Sequence, residues 1–213
     1  PTITAPYGLK PVNLIGGQVF AGATRKLRIA SGYNTSIFYG DLVTRTTDGT
    51  IVKAASTTTG PATGCVGVFL GVEYINTATN QPTFAQYFPA NTAVTSGFIT
   101  AYVADDPDQL FKVAVVSGTT VISGVQYGAI GENATLVQNS GSTISGDSAV
   151  GILDSTATTR TLPVRIVDVV TDTAYESGGN IVFPEVIVKI NAVQVDADGV
   201  PSGGHAYNNP LGV

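Results

Sequence analysis

The chain says the same thing twice. Residues 25–32 read Arg-Lys-Leu-Arg-Ile-Ala-Ser-Gly, and residues 111–118 read Phe-Lys-Val-Ala-Val-Val-Ser-Gly. A Tyr-Gly pair follows each run, at Tyr39-Gly40 and at Tyr127-Gly128. Each pair leads through a threonine-rich stretch to a short apolar segment opened by glycine, Gly67-Val68-Phe69-Leu70 and Gly151-Ile152-Leu153. Each half then closes on a strand-like run, 98–103 and 186–190. The offset is 86 residues at Lys26/Lys112, 88 at Tyr39/Tyr127 and 84 at Gly67/Gly151, a drift that turn insertions produce. Internal repetition constrains a fold more than any single motif, because each copy must build a unit of the same kind. The expectation is an all-β protein: two similar barrel- or sandwich-like units in tandem, with an extended N-terminal arm. The segments are an arm at 1–23, a first β unit at 24–107, a second at 108–195, and a Gly/Pro-rich tail at 196–213.

The punctuation between the repeated runs is that of short strands. Asp48-Gly49 is a hairpin dipeptide between 41–45 and 50–54. Residues 65–74 form an apolar, β-branched run. Segments 84–88, 98–103, 110–116, 124–130, 134–137, 149–153, 162–170 and 181–195 also read as strands, with Phe84, Gln86 and Phe88 on one face of the first. Along 162–170 the apolar set moves from 162, 164 and 166 to 167 and 169. Along 186–195 it moves from 186, 188 and 190 to 193 and 195. A slip of one residue in a pleated strand is what a bulge or a bend between sheets produces. Asp105-Asp106-Pro107-Asp108 marks the seam between the halves and suits a helical turn capped by Asp, with Pro in its first position. No window carries a helical period, and strands spaced by turn signals point to a sandwich or barrel.

In the arm, Pro1, Pro6 and Pro11 disfavour helix and Gly8, Gly16, Gly17 and Gly22 supply turns. Leu9, Val12, Leu14, Ile15, Val19 and Phe20 are too apolar for a free tail, so the arm wants something to lie on: its own domain, a neighbouring subunit or a larger assembly. Tyr7, Leu9, Val12, Leu14 and Ile15 are the expected contact with a larger assembly or a neighbouring subunit. Deleting residues 2–15 is expected to leave the body folded but to remove its contact with a larger assembly. The tail is expected to be extended or loosely ordered.

Composition narrows the partners. Only 12% of the 213 residues are charged, against about 25% in an ordinary domain. Thr, Ser, Asn and Gly replace the missing charge and give a neutral, hydrogen-bonding surface suited to lateral protein contact. Ten Lys and Arg against 15 Asp and Glu, net −5, with no basic run longer than Arg25-Lys26-Leu27-Arg28, argues against nucleic acid as a partner. No stretch approaches the ~20 apolar residues of a membrane helix. The N-terminal sequence has neither half of a signal peptide, so the expectation is synthesis in a cytoplasm without export.

Little of the chain suggests chemistry. Cys65, the single cysteine, reads as a buried small hydrophobe. His205 is the only histidine and sits among tail glycines, so a Cys65–His205 nucleophilic pair would lack a rigidly held base. Two acidic groups, Asp105/Asp106/Asp108 and Asp196/Asp198, are candidate Ca²⁺ ligands, and the second resembles the opening of a calcium loop. The second lacks the later ligands of a full loop, and Asp beside Pro or Gly is ordinary turn chemistry. Gly16-Gly17 to Gly22 lacks the Lys-Ser/Thr of a phosphate loop. The expectation is a non-enzymatic protein with no cofactor and no catalytic or metal residues.

Three segments carry a resemblance. Ala5-Pro6-Tyr7-Gly8-Leu9-Lys10-Pro11-Val12 is one. A second is Tyr39-Gly40-Asp41-Leu42-Val43 through Asp48-Gly49-Thr50 to Gly67-Val68-Phe69-Leu70-Gly71. The third is Phe183-Pro184-Glu185-Val186-Ile187-Val188-Lys189-Ile190-Asn191. Taken in order they resemble the capsid decoration, or cement, proteins of tailed bacteriophages. The resemblance implies an all-β homotrimer in the virion that clamps the outer surface of an assembled head, with the major capsid protein as partner. It does not extend over 193–213. The rival expectations are another phage structural subunit, such as a tail tube or head fibre, and a carbohydrate-binding adhesion module.

Overall fold

A computed structural model describes residues 3–55, 65–159, 161–191, 194, 195, 198, 201–203, 205 and 207. The strands are β1 (Lys10–Leu14), β2 (Arg25–Ile29), β3 (Leu42–Arg45), β4 (Thr50–Lys53), β5 (Cys65–Ile75), β6 (Pro82–Ala85) and β7 (Ile99–Ala104). The second half adds β8 (Gln109–Val116), β9 (Asn133–Ala134), β10 (Leu136–Val137), β11 (Gly151–Leu153), β12 (Val164–Val169), β13 (Tyr175–Ser177), β14 (Asn180–Val182) and β15 (Glu185–Ile190). Two short strands, β16 (Gln194–Val195) and β17 (Pro201–Gly203), pair with each other in the tail.

Strand pairing shows the repeat directly. In the first unit the order runs β3–β4–β2–β7–β5, and a β3–β5 pairing closes the ring, with β6 added to the far end of β5. In the second unit the order runs β10–β11–β8–β15–β12–β9. Thr135 alone separates β9 from β10, so this sheet also curls back on itself. Both units contain one parallel pairing, β2 with β4 (Ile29 opposite Ile51) and β8 with β11 (Val115 opposite Ile152). Both set the last long strand antiparallel to the first, β7 on β2 and β15 on β8.

That correspondence corrects one part of the sequence alignment. Gly151 lies on β11, the counterpart of β4, whereas Gly67 lies on β5, the counterpart of β12. The two glycines match by accident of need, since each sits where a neighbouring strand leaves no room for a Cβ. A Cβ at Gly67 would lie 2.1 Å from the Ala104 carbonyl oxygen, and one at Gly151 would lie 2.9 Å from Val116 Cγ1.

The units are two barrels sharing a packed wall. β5 is buried without interruption from Cys65 to Phe69, the pattern of a strand covered on both faces. Val43, Val66, Phe69 and Val72 fill the first barrel with Ile51, Phe88 and Ile99. Leu42, Ala54, Cys65, Val68 and Ala104 turn the other way. They join a cluster with Phe111, Val113, Leu136, Ile152, Ile166 and Val188 of the second barrel.

Several expected strands differ from those observed. The run 84–88 ends at Ala85, and Phe84 is 69% exposed while Phe88 is fully buried. They do not share a face because the chain leaves the sheet between them. Residues 124–130 form a 3₁₀ turn at Tyr127–Ala129, not a strand. The run 181–195 breaks into β14, β15 and β16. The face change in 162–170 is present as a register shift between Ile166 and Asp168 against β15; the later one falls partly outside the described residues. The seam is a tight turn, not a helical one: Gln109 N–H donates to the Asp106 carbonyl at 3.1 Å, with Pro107 in the position where its fixed φ favours such a turn.

Candidate interaction surface

The arm is a strap. Gly8 N–H donates to the Val150 carbonyl of the second barrel at 3.1 Å, and Leu9 N–H donates to the Gly40 carbonyl of the first at 3.0 Å. A Cβ on Gly8 would lie 2.7 Å from Ser148 Cβ and 3.0 Å from Gly40 Cα, so only glycine lets the strap pass between the barrels. β1 then pairs antiparallel with β8. Beyond it the chain folds back on itself. Leu14 N–H donates to the Gln18 carbonyl at 2.8 Å, Phe20 N–H donates to the Val12 carbonyl at 3.3 Å, and Asn13 bridges Val19.

This arrangement divides the five expected contact residues. Leu9 is wholly buried in the core shared by the barrels. Tyr7 is half-buried and donates its hydroxyl to the buried Glu185. Burial, then Glu185, pushes the Tyr7 hydroxyl pKa up. Burial pushes Glu185 up too, but the Tyr7 hydroxyl and Lys112, whose Nζ lies 3.3 Å away, outweigh it and leave the carboxyl below its ordinary value. Val12 and Leu14 are part-covered on β1. Ile15, at the hairpin tip, is 51% exposed, and Val19 across the turn is 75% exposed. The expectation that the arm is dispensable to the fold is therefore corrected: it supplies a core side chain and a strand.

The wall between the barrels holds a buried polar group. Asp41 accepts from the Lys53 ammonium at 2.9 Å, the Ser148 hydroxyl at 2.6 Å and the Phe38 N–H at 2.8 Å. Lys53 also donates to the Asn139 carbonyl at 3.2 Å, and Gln138 donates to the Ala54 carbonyl at 2.9 Å. These partners come from both barrels, so the buried charges are paired, as burial requires.

Among the described residues of the tail, β17 is extended and His205 is docked. His205 is 1% exposed and its backbone bridges that of Cys65. Burial lowers the His205 pKa, opposed by the Asp105 and Asp106 carboxylates and by the Val66 and Asp105 backbone. Burial pushes the Cys65 thiol up to about 12. The two residues are neighbours, yet the thiol stays protonated and the imidazole neutral at neutral pH, the reverse of an activated pair. Tyr207 donates its hydroxyl to Asp105 at 2.6 Å, and Arg25 pairs with the same carboxylate. These groups line an open cleft of about 600 Å³ with Lys26, Asp106 and Pro107. Asp106 accepts from the Asp108 N–H at 2.8 Å, and Asp108 takes Lys189 at 2.5 Å. The Asp105–Asp108 carboxylates thus serve the turn and its flanking cations. Asp196 lies outside the described residues.

The residues of the outer face of the first barrel are not among those expected from the sequence to make contacts. On β6, β5, β7 and β2 this face carries Phe84, Ile75 and Arg28, with Phe98 just ahead of β7. Phe84 and Phe98 are 69% and 61% exposed. Arg28 lies over the Phe98 ring at 3.6 Å and Lys26 over Tyr102 at 5.3 Å. Tyr102 donates its hydroxyl to Glu73 at 2.7 Å. Alternation along β2 was the available signal, since Lys26 and Arg28 stand on one side of Leu27 and Ile29.

No family model, curated protein or solved structure matches this chain.

Proposed function

We propose that this chain is a non-enzymatic structural protein of a phage virion, a capsid decoration protein that binds the outside of an assembled head as a homotrimer. The observation that carries the reading is the strap and its tip. Residues 8–14 are held to both barrels, while Ile15 and Val19 stand exposed at the end of a hairpin anchored by the Ile15 N–H on the Asp108 carbonyl at 2.9 Å. A rigid body with an apolar projection and a low-charge surface suits lateral docking. The ordered resemblance of segments 5–12, 39–71 and 183–191 to decoration proteins points the same way. A protein that binds the assembled shell better than loose subunits stabilises it by mass action, and repetition over a lattice multiplies modest contacts.

Stoichiometry in the source particle, measured by quantitative mass spectrometry against the major shell protein, tests this. The expected ratio is within a small factor of one. A ratio lower by an order of magnitude would instead indicate a tail or vertex part, and absence from particles would overturn the reading.

A further inference from the structure

We propose that the aromatic and basic outer face of the first barrel, centred on Phe84, Phe98 and Arg28, is a second docking surface, and that its occupant is a carboxylate-bearing, apolar patch on the shell protein. The inference rests on the decoration reading and adds the face and its chemistry.

Apolar exposure comes first. Phe98, Ile75 and Pro82 line one small cavity of about 220 Å³ on this face. Phe84 stands two residues along β6 from Pro82, opposite Glu73. Large exposed rings grouped with a β-branched side chain mark an interaction site, where a single exposed residue would not. β6 is also an edge strand, so nothing in its own sheet covers its outer side.

Charge then selects the occupant. The chain carries net −5 with only ten Lys and Arg, yet β2 alone holds Arg25, Lys26 and Arg28, all exposed. Arg25 is matched by Asp105. Among the described residues, Lys26 and Arg28 form no ion pair; their recorded partners are the faces of Tyr102 and Phe98. Glu73 on the same face accepts the Tyr102 hydroxyl and keeps its negative charge. Two cations against that one carboxylate leave the face net positive on a negative protein, and its complement is acidic.

Geometry sharpens the match. A guanidinium lying on a ring uses its flat face and leaves the N–H groups of its edge for an acceptor. That edge matches a carboxylate in two parallel hydrogen bonds. Arg28 is thus held by Phe98 in a form ready for a partner's Asp or Glu, while Phe84 and Ile75 supply the apolar centre that such sites have. Two free cations are too few to follow a phosphate backbone, so protein is favoured over nucleic acid.

The test uses the full chain and purified heads stripped of it as the probe. Binding is measured for the unmodified protein, for Lys26→Glu with Arg28→Glu, for Phe84→Ala, and for Ile144→Ala as an exposed control away from the face. Thermal midpoints check that each variant is folded. The expected result is loss of about tenfold or more in affinity for the charge-reversed and Phe84 variants, with the control unchanged. Salt should weaken the unmodified protein more than the charge-reversed one. Arg28→Lys, which keeps charge but not the fork, should fall between. Equal binding by all folded variants would overturn this face and leave the decoration reading standing. Failure of the unmodified chain to bind heads would overturn both.

Discussion

Ser148 of the second barrel donates its hydroxyl to Asp41 of the first at 2.6 Å, on the far side of the carboxylate from Lys53. A carboxylate with no exposure is thereby held by a cation from its own barrel and a hydroxyl from the other. Removing the cation leaves the anion buried and half-satisfied. Lys53→Met is expected to destabilise the fold by about 3 kcal/mol or more. Ser148→Ala, which removes one hydrogen bond, should cost about 1–2 kcal/mol. Urea unfolding of the two variants measures both, and a Lys53→Met cost no larger than that of Ser148→Ala would refute the role assigned to the pair.

Gly67 is the tightest backbone contact in the wall. A methyl there would meet the Ala104 carbonyl oxygen at 2.1 Å, and backbone cannot swing aside as a side-chain end can. Gly67→Ala should lower stability by about 3 kcal/mol, at the upper end of overpacking costs. Gly16 has nothing within 4 Å of its would-be Cβ, so Gly16→Ala should be near neutral. Thermal melts of the pair give the contrast directly.

The strands were legible where one physical rule governed them. The continuous run Cys65–Phe69 reads as buried because both faces are covered, and the bulge near Val167 shows as a slip of the apolar set by one residue. The wall was not legible, because Asp41 and Ser148 stand 107 residues apart and neither type announces a partner. His205 misled for a different reason. Its glycine neighbours suggested a loose tail, but a short chain segment needs only one well-filled site to dock. The exposure of Phe84 and Phe98 was not legible, since residue type does not tell which side of an edge strand is covered and packing in a core is the commoner fate of aromatics.

Acid should loosen the docked tail. The His205 pKa is lowered in the fold, first by burial, so the unfolded chain takes up the proton more readily. Its contribution to stability is complete above the ordinary histidine value of about 6.5 and is lost as pH falls below that toward the folded value. His205→Gln should flatten the decline in thermal midpoint across that window. Glu185, also lowered, acts further down: its contribution is present above the ordinary carboxylate value of about 4.3 and lost as pH falls through its folded value. Tyr7→Phe removes the hydroxyl that helps hold Glu185 ionised and should shrink that lower step. An unchanged pH profile in His205→Gln would refute the upper assignment.

Strap and tip should separate on mutation. Leu9 lies in the shared core, so Leu9→Ala should destabilise by about 2–5 kcal/mol. Deleting residues 2–15 should do worse, since it also removes the pairing of β1 with β8. Ile15 and Val19 lie outside that core, and the double change Ile15→Asp with Val19→Asp should alter stability by no more than about 0.5 kcal/mol. If the tip docks on a shell, the same double change should abolish head binding, because two carboxylates would have to be buried against apolar surface. Unfolding curves read the first effect and co-sedimentation with stripped heads reads the second. A folded double variant that still binds heads at full strength would move the contact away from the tip and onto the aromatic face of the first barrel.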